Sequence, residues 1–117
     1  MTNKELKALR QILALECSEA AEHIGKVSVR SWQRWESGAV PVPEDVANLM
    51  FEFASQRDQL VESRYEEFRV TRDFLELNFY MTIDEFEEAT GKRNVVMWKI
   101  TNSVAGECLS AGIARII

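Results

Sequence analysis

Within its first 38 residues the chain carries three helix-start signals and two glycine stops. Thr2-Asn3-Lys4-Glu5 is a capping box: the Thr hydroxyl takes the Glu5 amide and the Glu5 carboxylate reaches back. Leu6, Leu9, Ile12 and Leu13 recur behind it at helical spacing, which predicts a first helix to about Leu15. Ser18 is the next N-cap candidate and Gly25 the stop, enclosing a second helix with Ala20, Ala21 and Ile24 on its inner stripe. Ser28 and Gly38 bracket a third helix that ends near Glu36. Helices this short hold only when packed on one another, so the segment must fold as a small bundle.

Pro41 and Pro43 then break the chain, and Pro43 with Glu44 and Asp45 opens a long helix. Val46, Leu49, Met50, Phe53, Leu60, Val61, Tyr65 and Phe68 carry its stripe as far as Arg72. The period next changes to two: Leu75, Leu77 and Phe79 alternate with Glu76, Asn78 and Tyr80, which predicts one strand. A lone strand leaves its backbone groups unpaired. Its partner is either a second strand around Val70 to Phe74 or a strand from another copy. Thr82 to Glu85 is another capping box, with Met81 and Phe86 placed for a hydrophobic staple and Gly91 as the stop. Asn94 caps a last helix with Met97, Ile100, Val104 and Cys108 on one face and Trp98, Ala105 and Leu109 beside it. Gly112 ends that helix before an apolar tail, Ile113, Ile116 and Ile117. The expected class is mainly α, with a helical bundle over residues 1–70 and a small α+β region over 71–117.

Several functions are disfavoured by composition. At 46% hydrophobic and 28% charged, the chain of 117 residues has the apolar content of a globular fold, not of disorder. No run approaches the roughly 18 apolar residues of a membrane span, and no secretory signal is visible. Cys17 and Cys108, far apart, read as buried thiols of a reducing cytoplasm, and one His with two Cys makes no zinc site. No phosphate loop, metal cluster or nucleophile–base arrangement appears, so neither an enzyme nor a cofactor is expected. His23 reads as a surface residue, and Asp84, Glu85, Glu87 and Glu88 as a solvated helix face. The net charge of −5 argues at first against nucleic acid. Its distribution softens that: six basic side chains face five acidic ones between Met1 and Val40, so that segment is +1 and the remaining residues carry −6.

The third helix is the informative one. At about 100° per residue, Trp32 and Trp35 point one way and Val29, Arg30, Gln33 and Arg34 form an arc on the other side. The tryptophans read as core. The arc carries the side chains that read base edges: Arg for guanine, Gln for adenine, Val for a thymine methyl. Ser28 at the helix start, with Lys26 and Ser37, is placed for phosphates.

Ser18-Glu19-Ala20-Ala21-Glu22-His23-Ile24-Gly25 followed by Ser31-Trp32-Gln33-Arg34-Trp35-Glu36-Ser37-Gly38 resembles the Cro/repressor-type helix-turn-helix. Over nearly its full length the chain is similar to the YdiL-like, anti-CRISPR-associated regulators of phages and bacteria, through Met1 to Arg10, Ser18 to Gly38, Leu77 to Tyr80, and Trp98 with Ser103-Val104-Ala105. The resemblance implies a cytoplasmic, homodimeric repressor that binds an inverted repeat in double-stranded DNA at its own operon, with some members also controlling their own messenger RNA. It also implies that Glu36 braces the motif against Arg10. Gly25-Lys26-Val27-Ser28 is one residue longer than the usual turn, which shifts the register of the third helix by up to one position. The C-terminal half supplies the material for a dimer interface: Leu75, Leu77 and Phe79 of the strand, Trp98, and Ile113 and Ile116 of the tail. A different role is the antitoxin, or another protein-interaction half, of a two-gene system.

Overall fold

The computed structural model describes residues 1–117, and its first helix, α1 (Asn3–Ile12), starts on the expected box. Thr2 Oγ1 accepts from the Glu5 amide at 3.1 Å and Glu5 Oε1 accepts from the Thr2 amide at 2.7 Å. The helix ends at Ile12, short of Leu15, because Ala14 takes a left-handed φ of 62°. Leu13 and Leu15 are buried all the same. Helix α2 (Cys17–Ala20) runs on into a single π turn, Ala21–Gly25. Its cap is Glu16 rather than Ser18, with the Glu16 amide donating to Glu19 Oε1 at 2.8 Å. The left-handed stop is Lys26, φ 55°, not Gly25. Glycine at position 25 answers a different need, since a Cβ there would sit 3.1 Å from the rings of both Trp32 and Trp35. Ser28 caps α3 (Val29–Glu36) as expected: its hydroxyl accepts from the Ser31 amide at 3.2 Å, and Gly38 follows the helix with φ +83°.

Those elements and the first turns of α4 (Glu44–Thr71) surround one core of Leu6, Leu13, Ala20, Ile24, Trp32 and Met50. The chain packs as two compact units, Met1–Ser55 and Gln56–Ile117, with α4 contributing residues to each. The apolar stripe of α4 continues across the boundary between them, so no Gly, Pro or change of period marks it.

In the second unit the expected strand is shorter. β1 (Leu75–Leu77) pairs in parallel with β2 (Ala114–Ile116), Leu75 opposite Ala114 and Leu77 opposite Ile116. Its partner within the chain is therefore not the 70–74 stretch but the apolar tail. Leu75 N–H donates to Ile113 O at 2.9 Å and Ile117 N–H donates to Leu77 O at 3.0 Å. A parallel pair needs a crossover, which α5 (Ile83–Thr90) and α6 (Val95–Ser110) provide. Beyond Leu77 a side chain replaces the ladder. Asn102, buried on α6, accepts from the Tyr80 amide at 2.9 Å and donates to the Tyr80 carbonyl at 2.8 Å, and Trp98 Nε1 donates to that carbonyl at 2.8 Å. The staple does not form: Met81 is exposed, while Phe86 packs edge-on against Tyr80 with ring centroids 5.5 Å apart. Thr82, Gly91 and Asn94 cap as expected, but the box at Thr82 does not close, because Glu85 Oε2 accepts from the Met81 amide at 2.7 Å instead of from Thr82. Cys108 is buried, where burial and Glu107 push its thiol up, but Cys17 is only half-buried. No helix is long and apolar enough to cross a membrane.

Candidate nucleic-acid interface

Helix α3 has two chemically opposite faces. Trp32 and Trp35 point into the core, 0% and 8% exposed, with ring centroids 5.5 Å apart at an interplanar angle of 61°. Val29, Arg30, Gln33 and Arg34 are all exposed on the other side. The Ser28 cap and the Trp pair fix how the helix is rotated, so the arc follows from the burial of the tryptophans.

A three-part clamp holds that rotation. Arg10 on α1 forks onto Glu36 at the end of α3, Nε to Oε2 at 2.7 Å and Nη2 to Oε1 at 3.0 Å, as the family resemblance implied. Its Nη1 donates to the Leu15 carbonyl at 3.0 Å. The Trp32 indole N–H also donates to Glu36 Oε2, a share of the clamp that the i, i+4 spacing of Trp32 and Glu36 carried but the sequence reading missed. Asn3 Nδ2 donates to the Glu36 carbonyl at 3.1 Å. Burial by itself would raise the Glu36 carboxyl; the hydrogen bonds from Arg10 and Trp32 outweigh it and hold the group below its ordinary 4.5. The hydrogen bond to Glu36 raises Arg10 in turn.

The arginines sort by partner. Arg10, Arg57, Arg64, Arg69 and Arg93 each pair with a carboxylate. Arg30, Arg34, Arg72 and Arg115 make no ion pair, Arg115 lying over the Phe74 ring at 5.0 Å; of these, Arg30 and Arg34 share one helix face, and Lys26 stands exposed on the turn before it. The two serines expected on phosphates are engaged locally. Ser28 Oγ accepts from the Ser31 amide and donates to Ser31 Oγ at 3.1 Å; Ser37 Oγ donates to the Arg34 carbonyl at 3.1 Å.

Of the residues expected between copies, Leu75 and Ile113 are buried within the second unit and Leu77 is half-buried. Trp98 is half-buried, its indole committed to Tyr80 and its ring covered by the Lys99 ammonium at 4.6 Å. Phe79 and Ile116 are exposed, as are Phe74 and Ile117, which the strand pattern did not single out for that role.

These features describe a small, mainly helical protein with two open arginines on one helix face. All of residues 1–117 match the Aca2/YdiL-like family, and the chain belongs to it. It is 44% identical over 117 residues to the Aca2 repressor of Pectobacterium phage ZF40, with 100% of each chain covered. It is 27% identical over 117 residues to the uncharacterised protein YdiL of Escherichia coli strain K12, with 99% of each covered.

Proposed function

We propose that this protein is a transcriptional repressor that acts by binding double-stranded DNA, with α2, the turn at Lys26 and α3 as its helix-turn-helix and no enzymatic activity. The observation that carries the reading is the arc of Arg30, Gln33 and Arg34, exposed and without ion-pair partners, on a helix whose opposite face is locked into the core. Two arginines and a glutamine on one face supply forked donors for guanine and adenine edges in the major groove, and Val29 a contact for a thymine methyl. Lys26 supplies a phosphate contact. Ser28 and Ser37 reach phosphate only by giving up their local bonds. The likeness to a phage repressor over the whole chain supports the reading.

A single such helix touches one half-site, so useful specificity needs two copies about 34 Å apart on an inverted repeat. The exposed Phe74, Phe79, Ile116 and Ile117 of the second unit are the side chains available for that homodimer. Autoregulation in the cytoplasm, through a repeat at the protein's own operon, completes the proposal. The arginine face is also the candidate grip on a folded stem of its own messenger, since no exposed aromatic platform for single-stranded bases accompanies it. The test is a gel shift on the DNA just upstream of the gene against a scrambled duplex of equal length, over a range of salt. Preference for the upstream DNA, with log affinity falling linearly in log salt, is expected; equal binding to both duplexes contradicts the proposal.

A further inference from the structure

The turn between α2 and α3 holds a left-handed residue that is not glycine. Lys26 is exposed and has φ 55°, a region that side chains with a Cβ enter only at a cost in stability. The chain follows α3, α5 and α6 with glycine in that conformation, at Gly38, Gly91 and Gly112. Here the turn's own glycine is committed one position earlier, beneath Trp32 and Trp35. The turn is also one residue longer than usual. The Ala21 carbonyl accepts from the amides of both Lys26 and Val27, the latter at 3.0 Å, so the π turn takes up the extra residue. Ser28 still caps α3, and Trp32 and Trp35 still face the core. The extra residue thus adds a side chain to the turn without turning the tryptophans out of the core. Length and a left-handed φ would be met by glycine or asparagine. What lysine adds is an ammonium that makes no ion pair, on the turn that leads into the Arg30 face.

We propose that Lys26 is kept in this left-handed turn for its charge: it grips a DNA phosphate beside the base-reading face, and position 26 gives up fold stability in exchange for affinity. This rests on the DNA reading and goes beyond it, since a phosphate contact does not by itself require a disfavoured backbone. A residue held in a sparsely populated conformation at a binding surface is where such an exchange is found. Two consequences separate Lys26 from the arc. A phosphate contact carries no sequence information, so its loss weakens all DNA alike. Relief of the backbone acts in the opposite direction, on the fold.

The test compares the full-length wild type with Lys26→Gly, Lys26→Arg and Ala14→Gly, in thermal melts and in gel shifts on the upstream and scrambled duplexes over a range of salt. Ala14 is exposed with φ 62°, so it shares the left-handed backbone without the charge. Ala14→Gly should melt about 3 °C higher and bind DNA as the wild type does. Lys26→Gly should also melt about 3 °C higher, yet bind both duplexes roughly five- to tenfold more weakly near 0.1 M salt. Its preference for the upstream duplex should be kept, and its log–log salt slope should be less steep by about one per bound copy. Lys26→Arg should keep the wild-type slope and melting temperature. An unchanged slope in Lys26→Gly, a changed preference, or a melting temperature no higher than the wild type's would overturn the proposal. Those results leave the DNA reading standing, provided that the wild type prefers the upstream duplex. A wild type that binds both duplexes equally removes the DNA reading and the role of Lys26 with it.

Discussion

Each unit of the molecule anchors one arginine on a carboxylate, half-buried Arg10 in the first and buried Arg57 in the second, and the two do different work. In the first unit Arg10 is fixed on Glu36, 26 residues away, and the clamp also takes the indole of Trp32. In the second, Arg57 is fixed on Ser103 Oγ at 2.9 Å and on Glu107 at 2.8 Å, bridging α4 to α6. The contrast lies at the surface. The second unit pairs Arg64, Arg69 and Arg93 with neighbouring carboxylates and leaves Arg72 and Arg115 unpaired at separate points near the strands, whereas the first sets its two unpaired arginines, Arg30 and Arg34, together on one helix face. Paired surface arginines gain little, because exposed ion pairs are screened. Open ones on an anchored helix keep their donors for a partner, and the half-buried clamp behind them ties that helix to α1.

The comparison breaks most sharply at Trp32. Trp32→Ala removes a fully buried ring and a donor to Glu36, so it should lower stability by about 3–5 kcal/mol and take DNA binding with it. Urea melts followed by circular dichroism measure the first effect and gel shifts the second. Glu107→Ala leaves the buried Arg57 guanidinium without its carboxylate. It should cost about 2–3 kcal/mol in the same melts, yet leave the DNA affinity of the folded fraction unchanged. A loss of affinity in folded Glu107→Ala would erase the division of labour between the units. Removing the Ser28 hydroxyl tests the end of α3 alone: Ser28→Ala should cost about 1 kcal/mol of stability.

Acid tests the first clamp without mutation. Glu36 sits below its ordinary 4.5 in the folded protein. A carboxyl lowered by folding contributes stability that is fully present above that ordinary value and is lost as pH falls through the lower, folded one. Melts between pH 7 and pH 3 should show this decline in the wild type. The part of it that disappears in Glu36→Gln belongs to the clamp; identical pH profiles for the two proteins would mean that Glu36 titrates as an ordinary surface group.

The first unit was more legible than the second for a physical reason. Caps and stops are local, and those at Thr2, Ser28 and Gly38 state the helix ends within a few residues of chain. The faces of α3 follow from its own eight residues, and the Arg10–Glu36 pair came from a family likeness. What failed locally was fine: Lys26 rather than Gly25 takes the left-handed turn, since the glycine is needed beneath two tryptophan rings. The second unit rests on pairings between distant residues. An Ala-Arg-Ile segment at the chain end carries no alternation that marks it as the partner of Leu75–Leu77. The bonds that replace the ladder come from one amide side chain on a helix, Asn102, which no period reveals. The passage of α4 from one unit to the next is equally silent, because a continuous helix has no punctuation.

The open arginines of α3 carry the proposed DNA contact, and their removal measures it most directly. Arg30→Ala and Gln33→Ala are changes at exposed positions, so their melts should match the wild type. On the upstream DNA, in gel shifts at fixed salt, Arg30→Ala should lose about 1–3 kcal/mol of binding and relax discrimination at one base pair of each half-site. Unchanged affinity in both Arg30→Ala and Gln33→Ala, with both proteins folded, would contradict the claim that this face reads DNA.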